Sequence, residues 1–65
     1  MLKLDDFMGK LTFDGEKVRI FSIDADNFIF KGTKSDYFNL IDRIEYRVCS
    51  FYVENNTIII EVKEN

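Results

Sequence analysis

The sequence predicts a small α+β domain made of two αββ units, in the order α-β-β-α-β-β. Its four strands are expected to form one antiparallel sheet with both helices on one face. Three observations carry this prediction. Residues 49–62 read Cys-Ser-Phe-Tyr-Val-Glu-Asn-Asn-Thr-Ile-Ile-Ile-Glu-Val, two β-branched and aromatic runs on either side of Asn55-Asn56. Asparagine is one of the few non-glycine residues that tolerates the positive φ of a two-residue hairpin turn. Two segments carry apolar residues at helical spacing: Leu4, Phe7, Met8 and Leu11, then Tyr37, Leu40, Ile41 and Ile44. Finally, an offset of 30 residues lays Asp6 on Asp36, Phe7 on Tyr37, Leu11 on Ile41, Val18 on Val48, Phe21 on Phe51 and Ile58 beneath Phe28. That match divides a single domain into pseudo-repeats 3–32 and 33–62.

Taken in order, the first element is a short amphipathic helix from Leu4 to Leu11, with Asp5 and Asp6 in the first turn, where negative charge suits the helix dipole. Gly9 inside it costs about 1 kcal/mol against alanine. The rival is a hairpin in which Leu11-Thr12-Phe13 turns at Asp14-Gly15 into Glu16-Lys17-Val18, and spacing leaves both open. Residues 17–23 then read as a strand, residues 24–27 as a turn and residues 28–31 as the partner strand, ending at Gly32. Asp24, Asp26 and Asn27 lack the spacing, the central glycine and the closing glutamate of a calcium loop, so turn chemistry explains them and no metal or cofactor is expected.

Thr33 and Asp36 form a Thr-x-x-Asp start signal before Tyr37, Leu40, Ile41 and Ile44, which predicts the better of the two helices, its apolar stripe lying on the sheet. In the final hairpin, Glu54 is expected opposite Thr57, Val53 opposite Ile58, Phe51 opposite Ile60 and Cys49 opposite Val62. Carried to the first half by the repeat, the same register pairs Ile23 with Phe28 and Phe21 with Phe30 around a turn at Ala25-Asp26. The helix-covered layer is then Phe21, Ile23, Phe28, Phe30, Phe51, Val53, Ile58 and Ile60, with Cys49 on its apolar side. The reverse side is left with Val18, Ile20, Ile29, Val48, Tyr52 and Ile59, an apolar patch that marks a binding surface.

Composition bounds the function. Sixty-five residues with a single cysteine and no histidine offer neither a disulfide nor a histidine-bearing metal site to support a small core, which leaves self-association, a homodimer, as the remaining support. Without histidine or a second cysteine the acid-base options reduce to carboxylates, and the Asp5-Asp6 and Asp24/Asp26 pairs are accounted for by helix-start and turn roles, so no enzyme is expected. Cys49 has no histidine to activate it. Nine basic residues are scattered among twelve acidic ones for a net charge of −3, which argues against direct DNA binding. The uncharged apolar run of residues 57–60 is far too short for a bilayer, and no signal-peptide pattern opens the chain, so a cytoplasmic protein is expected. The Asn55-Asn56-Thr57 sequon then reads as a turn.

The segments Leu4-Asp5-Asp6-Phe7, Glu16-Lys17-Val18-Arg19-Ile20-Phe21, Phe30-Lys31-Gly32 and residues 52–62 resemble small proteins encoded in phages and prophages of low-GC Gram-positive bacteria. The resemblance covers most of the chain and rests on strand and turn residues. It implies a genomic setting in which proteins of this size often block a host defence system by binding it. The leading reading is therefore a non-enzymatic inhibitor that occludes a host defence protein through Ile20, Ile29, Tyr46, Val48, Tyr52 and Ile59, rimmed by Lys31, Glu61 and Lys63. The alternative is a homo-oligomeric sponge for a nucleotide signal, held by Lys17, Arg19, Arg43 and Arg47 with Tyr37 or Tyr46.

Overall fold

A computed structural model describes residues 2–43 and 45–64. Its elements follow the chain as α1 (Leu4–Gly9), β1 (Lys17–Ser22), β2 (Asn27–Thr33), α2 (Lys34–Phe38), β3 (Tyr46–Glu54) and β4 (Thr57–Glu64). The strands form one sheet in the order β2-β1-β4-β3. β1 pairs antiparallel with β2 and β3 antiparallel with β4, but the central pair, β1 and β4, is parallel, so the sheet is mixed. Its two central strands are the first strand of one hairpin and the second strand of the other, so the two αββ segments do not occupy equivalent places.

The first segment resolves in favour of the helix. Asp5 and Asp6 lie in the first turn of α1, Leu4, Phe7 and Met8 are buried, and Asp14-Gly15 is the turn leading out. The start of α2 is as predicted. Asp36 N–H donates to the Thr33 hydroxyl while Thr33 N–H donates to the Asp36 carboxylate, a complete capping box. Its length is shorter than predicted. The helix ends at Phe38, and only Tyr37 of the expected stripe is buried; Leu40 is exposed and Ile41 is 94% exposed. The fourth member of that stripe, Ile44, lies outside the described residues.

In the second hairpin Glu54 faces Thr57, Val53 faces Ile58 and Phe51 faces Ile60, and Asn55 and Asn56 carry φ values of 51° and 61°, the positive values a two-residue turn requires. A bulge at Cys49 then shifts the register, so that Val48 and not Cys49 lies opposite Val62, and the thiol is exposed.

The first hairpin departs further. Ser22 pairs with Asn27 around a four-residue loop in which Asp26 takes φ 56°, and Phe21 pairs with Phe28 and Ile20 with Phe30 across a second register shift. The turn at Ala25-Asp26 with Ile23 opposite Phe28 is therefore corrected. Ser22 Oγ accepts from Ala25 N–H and helps close the longer loop.

These bulges decide which face is buried, because a one-residue slip turns every following side chain over. Val18, Ile20 and Ser22 of β1 lie beside Ile58, Ile60 and Val62 of β4, and the apolar members meet Leu4, Phe7, Met8 and Tyr37 in one core. Ile60 is fully buried and Ile20 is 1% exposed. The expected layer thus holds for Phe30, Phe51, Val53, Ile58 and Ile60 and fails for Phe21, Ile23 and Phe28. Before its bulge β3 turns Tyr46 and Val48 inward, and after it Phe51 and Val53. The Phe51 ring lies 4.9 Å from that of Phe7, yet Phe51 and Val53 remain 56% and 68% exposed, because helical cover runs out over the hairpin tip. Among the described residues no helix is long and apolar enough to cross a membrane.

Candidate binding face

The face of the sheet turned away from the helices has no cover among the described residues. Alternation assigns it Lys17, Arg19 and Phe21 from β1, Phe28, Lys31 and Thr33 from β2, Thr57, Ile59, Glu61 and Lys63 from β4, and Arg47, Ser50, Tyr52 and Glu54 from β3. Register brings these side chains together across strands: Lys17 lies opposite Thr33, Arg19 opposite Lys31 on one side and beside Ile59 on the other, Ile59 opposite Tyr52, and Arg47 opposite Lys63.

The charge on this face differs from that of the chain. Its five cations, Lys17, Arg19, Lys31, Arg47 and Lys63, meet two carboxylates, Glu54 and Glu61, a side-chain sum of +3. The other four cations and ten carboxylates sum to −6, which together restore the −3 of the whole sequence. Glu61 accepts a hydrogen bond from the Ser50 hydroxyl. Among the described residues the ion pairs are Lys34 with Asp14 and Arg43 with Asp5, so Lys17, Arg19 and Lys31 stand on this face with no carboxylate within ion-pair distance.

These three line a groove of about 400 Å³ at one end of the sheet, with Thr33 and Thr57 completing its walls. The Arg19 guanidinium lies 5.8 Å from the centre of the Phe28 ring, which is 50% exposed and packs edge-on against Phe21 at 5.2 Å. Tyr52 is exposed on the same face, and between it and Arg19 the central Ile59 is only 7% exposed. The face therefore presents cations and aromatic rings over an apolar floor closed by its neighbours.

No family model matches the chain, and neither the curated proteins nor the solved structures give a significant match.

Of the residues expected to meet a protein partner, Tyr52 and Ile59 lie on this open face. Ile20 belongs to the core, Tyr46 and Val48 pack against it, and Ile29 is exposed at the β2 register shift beside the helix layer. The six do not form one surface. Of the four expected to hold a nucleotide, Lys17, Arg19 and Arg47 share the open face. Arg43 lies on the other side, its Nε 3.3 Å from the Asp5 carboxylate and its Nη1 donating to the carbonyls of Phe38 and Leu40, where it ties the end of α2 to α1. Neither Tyr37 nor Tyr46 joins the open face. The Tyr37 hydroxyl donates to Asp5 within the helix layer, and burial, reinforced by that carboxylate, pushes its pKa well above the ordinary tyrosine range.

The aromatic pair Phe21 and Phe28 was assigned to the core by the pseudo-repeat and is the part of this face that sequence reasoning misses. A signal for it exists. Lys17-Val18-Arg19-Ile20 alternates cleanly between charged and apolar, and extending that alternation by one residue turns Phe21 outward with Lys17 and Arg19.

Proposed function

We propose that this protein is a non-enzymatic binding module that holds a phosphate-bearing ligand on the uncovered face of its sheet. The observation that carries this reading is the separation of charge: five cations and two carboxylates on that face in a chain whose remainder sums to −6. Phosphate oxygens pair well with guanidinium and ammonium groups, and the groove of Lys17, Arg19 and Lys31 holds no carboxylate to compete for them. Of the two functions expected from sequence, this is the nucleotide-binding one, with Lys31 taking the place of Arg43.

A titration of isotope-labelled protein with inorganic pyrophosphate and with a nucleoside triphosphate, followed by amide NMR shifts, tests it. Shifts confined to residues 17–19, 31–33 and 57–59 and weakened by added salt are the expected result. A flat titration, or shifts concentrated on α1 and α2, overturns it.

A second reading keeps the phage-encoded inhibitor that occludes a host defence protein. It draws on the resemblance and on the exposed apolar groups Phe51, Val53 and Phe13. Under that reading Phe51→Asp abolishes capture of the partner while Lys31→Glu leaves it intact; the opposite pattern removes this apolar surface as the functional one.

A further inference from the structure

Resting on the phosphate-binding reading, we infer that the ligand of the open face is a single-stranded nucleic acid segment, its phosphates held by the cations and its bases stacked on Phe28 and Tyr52. Four features of the face point to a strand in preference to a free nucleotide. The first is extent. Thr57 borders the groove that contains Lys17, Arg19 and Lys31, while Lys63, paired with Arg47, stands six residues further along β4. At about 3.3 Å per residue these two cationic ends lie roughly 20 Å apart. A mononucleotide occupies one end; a run of several phosphates reaches both. The second is the presence of aromatic rings at intermediate levels of the strands, Phe28 on the edge strand β2 and Tyr52 on the edge strand β3. Phe28 and Tyr52 are exposed on the same side as the cations, and an unpaired base stacks on such a ring whatever its identity.

The third is the arrangement of Arg19. Its guanidinium is already placed against the Phe28 ring, so a phosphate paired to Arg19 brings the adjoining base to the ring's vicinity. The last is the form of the surface. A sheet face offers no helix or ribbon to enter a major groove, and in a duplex the base faces are stacked on one another and closed to Phe28 and Tyr52. An acidic protein is the rival occupant, but lysine is depleted at protein interfaces, whereas here Lys17, Lys31 and Lys63 share the face with Phe28 and Tyr52, which stand on its two edge strands.

The test is fluorescence anisotropy with labelled oligothymidylate and oligouridylate of about 12 nucleotides, inside the roughly 4–16 nucleotide range of single-strand binding folds. A duplex of the same length, thymidine monophosphate and an acidic polyglutamate peptide are the controls. The single strands are expected to bind more tightly than the duplex, the monophosphate or the peptide, with affinity falling as salt rises. Comparing the deoxy and ribo strands assigns the ligand to DNA or RNA. Phe28→Ala and Tyr52→Ala should each weaken binding about 5- to 150-fold, the range measured for loss of a stacking ring. Phe28→Tyr should retain it, which separates stacking from a folding defect. Lys31→Glu should reduce affinity at least about tenfold and lower the slope of the salt dependence.

Equal binding of duplex and single strand, or aromatic variants that bind like the parent protein, overturns the inference. So does binding of the monophosphate as tight as that of the strand, although that result leaves phosphate recognition standing. Preference for the peptide over every nucleic acid overturns it in favour of a protein partner. A silent pyrophosphate titration instead removes the underlying reading.

Discussion

The two faces of this sheet are made from the same strands, and adjacent residues of one strand meet opposite fates. Ile60 is fully buried in the core shared with Leu4, Met8 and Val62, while its neighbour Ile59 lies on the open side under the flanking side chains of Arg19 and Tyr52. One face is closed by two helices and bound by apolar packing; the other is closed only by its own long side chains and carries the cations. The difference teaches that stability and recognition are separated by a single alternation of the backbone, so substitutions one residue apart should report on different properties.

The largest effect is expected at the covered face. Ile60→Ala leaves a cavity where helices and sheet meet and should cost about 2–5 kcal/mol. That is comparable to the whole stability of a chain of this size at roughly 0.05–0.15 kcal/mol per residue. Chemical denaturation should find it largely unfolded, whereas Ile59→Ala, whose cover is the flanking surface side chains alone, should lose less. Equal losses at the two positions would mean that the open face is packed by something more than its own side chains.

Next in size is Gly32→Ala. An added Cβ there would stand 2.9 Å from Asp36 Oδ2 and 3.1 Å from the Phe30 ring. The carboxylate can yield only by leaving the capping box with Thr33. A loss of about 1–3 kcal/mol by thermal or urea unfolding is expected, and an unchanged midpoint would show that the cap contributes nothing.

A smaller effect, and one that depends on pH, belongs to Tyr37. Its folded hydroxyl keeps its proton above the value of about 10 at which an unfolded tyrosine loses it. The associated stability is therefore fully present below about pH 10 and declines as the pH rises beyond it. Tyr37→Phe removes the hydrogen bond to Asp5, costs about 1 kcal/mol near neutral pH, and should flatten the alkaline limb of a denaturation series. An alkaline limb identical to that of the parent chain would exclude Tyr37 as its source.

The smallest effect on stability belongs to the open face. Lys31→Glu should move the unfolding midpoint by no more than surface substitutions usually do, within about 0.5 kcal/mol, even as it removes anion binding. A large destabilisation from Lys31→Glu would break the division of labour between the two faces.

Much of the fold was legible where chemistry is local. The Thr33–Asp36 cap, the Asn55-Asn56 turn with the pairs next to it, the acidic first turn of α1 and the Asp14-Gly15 turn each depend on contacts within a few residues, and each is where residue type places it. The candidate site was legible only in part. Lys17, Arg19, Arg47, Tyr52 and Ile59 were identified, but they were divided between two rival surfaces. Phe21 and Phe28 were placed inside the core because the pseudo-repeat equated them with Phe51 and Ile58. Val18 and Val48 do turn the same way. The bulge at Cys49 then reverses β3 while β1 runs on without one, so Phe21 and Phe51 end on opposite faces.

By itself, then, the amino-acid order determined the succession of helices and strands, the cap that starts α2 and the Asn55-Asn56 turn, because hydrogen bonds and backbone preferences over three or four residues are enough to decide these. Only the tertiary structure decided that β1 lies parallel to β4, where two bulges fall, and hence which side chains meet water. Those outcomes depend on packing between segments about forty residues apart, such as Ile20 beside Ile60. For the same reason, cations scattered along an acidic chain became a basic face only once four strands were laid side by side.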